Sequence, residues 1–130
     1  MNLSFEGKSV LVTAGSDGIG KAIASAFHEV GARVHICSRT LEKLEKCAAE
    51  MPGLTYTVAD VACWDDVQRV FGDIEREMGG IDFLINNAGI AGPTARVDEV
   101  GVDEWANTVK TNLNSQFFCT KLAAPMMIKA

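Results

Sequence analysis

The sequence predicts an α/β protein whose parallel sheet is wound on both faces, because short β-branched runs alternate with longer stretches of helical spacing. Parallel neighbours joined through helices take right-handed crossovers. The first β run is apolar without interruption, as a strand covered on both sides must be, and it passes straight into glycine-rich sequence.

Ser9–Thr13 (SVLVT) is that first strand. Apolar residues then recur at Ile19, Ile23, Ala26, Phe27 and Val30, one face of a helix that Gly31 ends. Residues 33–37 (RVHIC) read as the second strand. Leu41, Leu44, Ala48 and Met51 describe a shorter helix, stopped by Pro52-Gly53. Residues 54–58 (LTYTV) form a third strand, and Val67, Val70, Phe71, Ile74 and Met78 make a helical stripe ended by Gly79-Gly80. Residues 82–85 (DFLI) lead into a fourth strand and then Asn86-Asn87-Ala88-Gly89. After a surface loop rich in Gly, Pro, Asp and Thr, a last long helix starts near Asp103. Its stripe is Trp105, Val109, Asn112, Leu113 and Phe117, and Pro125 is expected to kink its final turns. No repeat or linker interrupts this order, so 1–130 reads as part of one domain. A doubly wound sheet usually carries more strands, and the pattern stops short of a fifth.

The 130 residues are 48% apolar and 22% charged, which excludes a disordered tail. Twelve basic against seventeen acidic residues give a net charge of −5, which argues against a nucleic-acid partner held by general phosphate attraction. No stretch approaches the roughly 18 uncharged apolar residues of a membrane span. The start, MNLSFEGKSVLV, lacks the basic and apolar regions of a secretory signal. Cys37, Cys47, Cys63 and Cys119 contain no C-x-x-C pair, so reduced core thiols and a cytoplasmic location are expected. His28 and His35 fall on a helix and a strand without ligand spacing, so no metal site is expected.

Chemistry is concentrated where strands end. Thr13-Ala14-Gly15-Ser16-Asp17-Gly18-Ile19-Gly20 joins a strand to a helix N-terminus, the context in which glycine lets backbone approach a pyrophosphate and free N–H groups face it. The spacing is G-x-x-G-x-G. A glycine-rich turn that binds nothing would also satisfy this segment alone. Thr13, Gly18, Ile19 and Gly20 make the turn resemble that of the short-chain dehydrogenase/reductase family, T-G-x-x-x-G-x-G. Ala14 stands where the family's first glycine is usual, and its Cβ is tolerable only if φ stays negative.

Further segments carry the same resemblance. Asp60-Val61 follows the third strand, where in the family an aspartate accepts a hydrogen bond from the adenine amino group and the next residue packs on the ring. Asn86-Asn87-Ala88-Gly89 is similar to the family's N-N-A-G, whose second asparagine and following small residues line the ribose and nicotinamide side. Asn112, in Thr111-Asn112-Leu113-Asn114-Ser115-Gln116-Phe117, resembles the asparagine that disrupts helix regularity and holds a water in a proton relay. On the apolar face of a helix this amide must be hydrogen-bonded, since a buried, unpaired one costs about 1–3 kcal/mol.

The resemblance implies a Rossmann-type sheet of order 3-2-1-4, with the switch point between strands one and four. It implies cofactor contacts from Ala14, Ser16, Asp17, Gly18, Ile19, Ser38, Arg39, Asp60, Val61, Asn87, Ala88 and Gly89, and a catalytic part for Asn112. At the end of strand two an acidic residue would bind both ribose hydroxyls. Ser38 and Arg39 stand there, and a guanidinium beside a hydroxyl suits a 2′-phosphate. NADP(H) is therefore expected over NAD(H), with NAD(H) still admitted and Asp17 working against the preference.

Family members transfer hydride between nicotinamide and a carbonyl or alcohol carbon. A tyrosine, a lysine four residues later and a serine handle the proton and the substrate oxygen. The single tyrosine here, Tyr56, precedes Asp60 at that spacing, and no Tyr-x-x-x-Lys is present. The sequence thus resembles the N-terminal, cofactor-binding half of such an enzyme. The intact protein is expected to act on a small carbonyl or alcohol substrate and to assemble as a homodimer or homotetramer. Alone, such a half would leave the fourth strand an unpaired edge and the face of Val109, Leu113 and Phe117 partly bare. A catalytically silent dinucleotide-binding or interaction module is the alternative. An S-adenosylmethionine methyltransferase shares sheet and glycine loop but not N-N-A-G.

Overall fold

The computed structural model describes residues 3–130. Four parallel strands, β1 (Ser9–Thr13), β2 (Arg33–Ser38), β3 (Thr55–Val58) and β4 (Phe83–Ile85), lie in the order β3-β2-β1-β4. Val10 of β1 stands between Val34 of β2 and Phe83 of β4. Strands three and four each begin one residue later than the sequence suggests. Leu54 gives its N–H to Met51 in the preceding turn, and Asp82 meets Ser9 by its N–H and its carboxylate instead of extending the ladder. The outer edge of β4 is unpaired among the described residues.

Strand alternation sorts side chains to two cores. Val10, Val12, Val34 and Ile36 face α1 (Gly18–Glu29) and α2 (Leu41–Glu50), while Leu11 and Cys37 face α3 (Trp64–Met78) and the C-terminal helix. Each fully buried Val, Leu or Ile contributes about 1.5–3 kcal/mol. Helix α3 buries the whole expected stripe, from Val67 to Met78, and ends on Gly79, whose φ of 75° lets its N–H reach the carbonyls of Ile74 and Glu75. Burial of Cys37 and Cys119 pushes both thiols up to about 12, so they stay protonated.

Elsewhere the buried faces differ from the apolar stripes. In α1 the sheet-facing ridge is Gly20 and Ala24, with Ile23 and Phe27 half-buried beside it, whereas Ile19 is 74% exposed and Ala26 is exposed. In α2, Leu44 and Cys47 are buried and Leu41 is exposed. The last helix is three segments: α4 (Val102–Val109), a π turn at Lys110–Asn114, and α5 (Ser115–Lys129), which runs on through Pro125. A π turn holds an extra residue and rotates the helix face. Ser115, Cys119 and Ala123 consequently turn inward, and Trp105, Leu113 and Phe117 are each 63% exposed. The stripe Trp105–Val109–Asn112–Leu113–Phe117 is therefore not the core face of this helix.

His35 is wholly buried in a polar chain under the sheet. Thr57 donates its hydroxyl proton to Asp73 Oδ2 at 2.6 Å, so its oxygen accepts from His35 Nε2–H at 2.8 Å, and Nδ1 accepts from the Thr55 hydroxyl at 2.6 Å. Burial holds the His35 pKa down at about 4, so the imidazole is neutral, and these bonds then place its proton on Nε2. His28 instead bonds the carbonyl of Pro52. No metal-binding group of side chains occurs among the described residues.

Candidate functional site

A cleft of about 220 Å3 opens at the carboxyl ends of all four strands. Ala14, Ser16 and Asp17 follow β1, and Ser38 and Arg39 close β2. Asp60 and Val61 follow β3, and Ala88 and Gly89 follow β4. All were candidates from the sequence. Gly18 and Ile19 do not line the cleft; they are exposed at the start of α1. Thr40, Lys43, Ala59, Ile90 and Thr111 also line it and were not foreseen. Thr40 and Lys43 are one helical turn apart just after Arg39, a spacing that readable sequence contained but that looks like any solvated helix start.

The wall between β1 and β4 is tied by side chains. Thr13, 1% exposed, accepts the N–H groups of Asn87 and Ala88 at 3.0 Å each and donates to the carbonyl of Ile85 at 3.4 Å. Asn87 Nδ2 donates to Ala14 O at 3.2 Å. Asn87 thus stands behind the cleft wall as a positioning residue and is not among the lining side chains. Gly20 sits under this bridge, where a Cβ would run into Ala14 O and Asn87 Nδ2. Ala14 departs from expectation: its φ is 52°, not negative. The left-handed region costs a Cβ-bearing residue roughly 1–2 kcal/mol, and in this conformation the Ala14 carbonyl accepts the Asn87 bond.

The remaining groups are placed by turns and caps. Asp17 caps α1, its Oδ1 accepting Gly18 N–H at 2.9 Å, and its Oδ2 accepts from Lys43 Nζ at 2.8 Å. Lys43 beside it holds the Asp17 carboxyl below its ordinary range. Ser38 Oγ accepts Thr40 N–H at 3.2 Å, which leaves the serine proton free to donate. Asp60 accepts Ala62 N–H at 2.9 Å through one carboxylate oxygen, and its own N–H goes to Asp66 Oδ2 at 2.8 Å. Asp60 is thus a turn carboxylate, and the residue also lines the cleft.

Asn112 lies in the π turn, so the helix is irregular where the resemblance implied it. It is half-buried rather than core, and its amide is satisfied: Oδ1 accepts Ile90 N–H at 2.7 Å and Nδ2 donates to Ile90 O at 2.8 Å. It borders the apolar hollow with Trp105, Val97 and Pro93 next to the cleft, not the cleft itself. No helix among the described residues is long and apolar enough to cross a membrane.

A parallel sheet of order 3-2-1-4 with its cleft at the switch point is a Rossmann-like architecture. The short chain dehydrogenase family matches residues 8–130, and the chain belongs to that family. It is 35% identical over 126 residues to the short chain dehydrogenase/reductase dpchG of Colletotrichum higginsianum, covering 94% of this chain and 47% of that protein. It is 33% identical over 130 residues to the L-fucose dehydrogenase of Bos taurus, covering 100% of this chain and 48% of that one. Among solved structures, L-sorbose reductase from Gluconobacter frateurii, complexed with NADPH and L-sorbose, superposes with a TM-score of 0.92 at 26% identity, over 98% of this chain and 50% of that one. The chain spans about half the length of these relatives.

Proposed function

We propose that the chain is the cofactor-binding part of an NAD(P)-dependent oxidoreductase that moves hydride between nicotinamide and a carbonyl or secondary alcohol. NADP(H) is the preferred cofactor and NAD(H) is admitted. The observation that carries this reading is the meeting, in one cleft, of the segments that end all four strands. The donor set fits a dinucleotide. The first turn of α1 offers backbone N–H groups beyond the one Asp17 takes, Gly18 leaves open space where a Cβ would stand, and Ser16 and Asp17 carry the cleft lining up to that turn. Asp60 carries an acceptor for an adenine amino group, with Val61 beside it to pack on the ring. Ser38 and Arg39 face the ribose end with a hydroxyl and a guanidinium, and NADPH in the Gluconobacter frateurii relative agrees with that chemistry.

A bound nicotinamide supplies or accepts the hydride. Ala88 and Gly89 border its side of the cleft, and Asn87 and Asn112 position that border through Ala14 and Ile90. The accompanying proton has no tyrosine donor on the cleft, because Tyr56 lies in β3 against the α1–α2 core. Oxidoreduction therefore rests on a tyrosine–lysine pair supplied outside residues 1–130. The missing Tyr-x-x-x-Lys is also the observation that favours the second reading, a silent dinucleotide-binding or interaction module. Small carbonyl or alcohol substrates, a homodimer or homotetramer and a cytoplasmic location belong to the first reading, and the exposed Leu113 and Phe117 suit the assembly.

Fluorescence titration of the full chain with NADPH and NADH tests the proposal. Charge-assisted bonds to the extra phosphate are expected to favour NADPH by roughly ten- to a hundredfold. Tighter NADH binding overturns the cofactor preference, and no saturable binding of either overturns the dinucleotide reading.

A further inference from the structure

We infer that Lys43 is a specificity residue for the cofactor's 2′-phosphate and acts by cancelling Asp17; the inference rests on the dinucleotide reading above. Asp17 sets a carboxylate on the rim of the cleft, and it cannot swing away without giving up its cap on Gly18 N–H. Left alone, that fixed charge would offset Arg39 and repel a dianionic phosphate. Lys43 reaches across from the first turn of α2 and meets Asp17 Oδ2 at 2.8 Å. The cleft's charged lining is Asp17, Asp60, Arg39 and Lys43, so Lys43 brings it to balance, and among Asp17, Arg39 and Lys43 the cations outnumber the carboxylate.

The pair is also easily reopened. Its side chains are 72% exposed at Asp17 and 52% at Lys43, and ion pairs between hydrated groups are weakly held. A phosphate at Ser38–Thr40 would offer Lys43 a partner of higher charge. It would meet the free Ser38 proton, the Arg39 guanidinium and the Thr40 hydroxyl, which makes no capping bond to α2. Lys43 thus keeps Asp17 neutralised, and an ammonium with three donor hydrogens has others left to share with a phosphate at Ser38–Thr40. An acidic residue in the glycine turn is then compatible with a preference for NADP(H).

Calorimetric titration of the full chain with adenosine 2′,5′-bisphosphate and with 5′-AMP separates the possibilities. Lys43→Ala is expected to weaken the bisphosphate about tenfold and to leave 5′-AMP within about twofold. Asp17→Asn, which keeps an oxygen for the cap, should tighten the bisphosphate, and Lys43→Ala should cost less in that background. Lys43→Arg should retain the preference, and rising salt should narrow it. If Lys43→Ala weakens both ligands equally, or neither, the role of Lys43 is wrong while the dinucleotide site stands. If the unmutated chain binds neither ligand, the dinucleotide reading fails and this inference falls with it.

Discussion

Replacing Thr13 by valine keeps the shape of the side chain and removes the oxygen on which the β1–β4 wall depends. The Ala88 N–H loses its hydrogen-bond partner at Thr13, a loss worth about 1–3 kcal/mol when such a group is buried. Asn87 N–H keeps a second acceptor in Ile85 O at 3.0 Å, so it forfeits only part of an ordinary bond, about 0.5–1 kcal/mol. The 3.4 Å bond to Ile85 O is long and adds little. Water can reach the half-buried Ala88 and recover some of the loss. The expected destabilisation of Thr13→Val is therefore about 1.5–3 kcal/mol. Urea unfolding of the full chain at constant m measures it. Thr13→Ser retains the oxygen and should cost about 1 kcal/mol for its lost methyl. A valine variant within about 0.5 kcal/mol of the unmutated chain, or a serine variant as unstable as valine, would refute the account.

Gly20→Ala forces a Cβ against Ala14 O and Asn87 Nδ2 and is expected to destabilise by about 2–3 kcal/mol, read as a lower thermal midpoint with weaker NADPH binding. Ala14→Gly relieves a left-handed alanine worth about 1–2 kcal/mol and adds glycine's entropy of about 0.5–1, so a net gain of up to about 1.5 kcal/mol is expected; a loss in the urea midpoint contradicts it. His35 has a folded pKa near 4 against 6.5 unfolded, so the unfolded chain binds the proton first as pH falls. Stability is then expected to decline between about pH 6.5 and 4, by up to roughly 3 kcal/mol, and urea midpoints of His35→Asn should lack that share of the slope.

What the sequence made legible was whatever local chemistry decides. The run SVLVT is a buried strand in any α/β context, and the α3 stripe is apolar at helical spacing, so both appear as read. The strand-end segments were legible because a Rossmann-like sheet must bring its carboxyl ends to one edge. Faces made by small residues were not. Gly20 and Ala24, and later Ser115, Cys119 and Ala123, are buried because backbones approach closely there, whereas apolar stripes point to Ile19, Leu113 and Phe117. The π turn leaves no periodic trace in sequence. The positive φ of Ala14 runs against alanine's own preference, and its carbonyl is bonded by an asparagine far along the chain. Lys43 belongs to no motif, and only the fold sets Asp17 opposite it.

The distribution of these departures is itself an argument about function. A junction between two parallel strands needs no more than ladder bonds and apolar packing; at the amino ends of β1 and β4 the additions are the reciprocal Ser9–Asp82 contacts and a buried Ser9 Oγ without a hydrogen-bond partner. At the carboxyl ends the same two strands carry a left-handed alanine, a glycine with no room for a Cβ, a buried threonine serving three bonds and two asparagines whose amides pin Ala14 and Ile90. Strain and desolvated polar groups persist only where the surroundings over-determine them. Here each one holds a backbone segment at the edge of the same cleft. The Thr13 oxygen acts on stability by holding the Asn87–Ala88 backbone that borders the cleft, so these costs make sense as the fixing of a cleft whose shape must not relax before a ligand arrives.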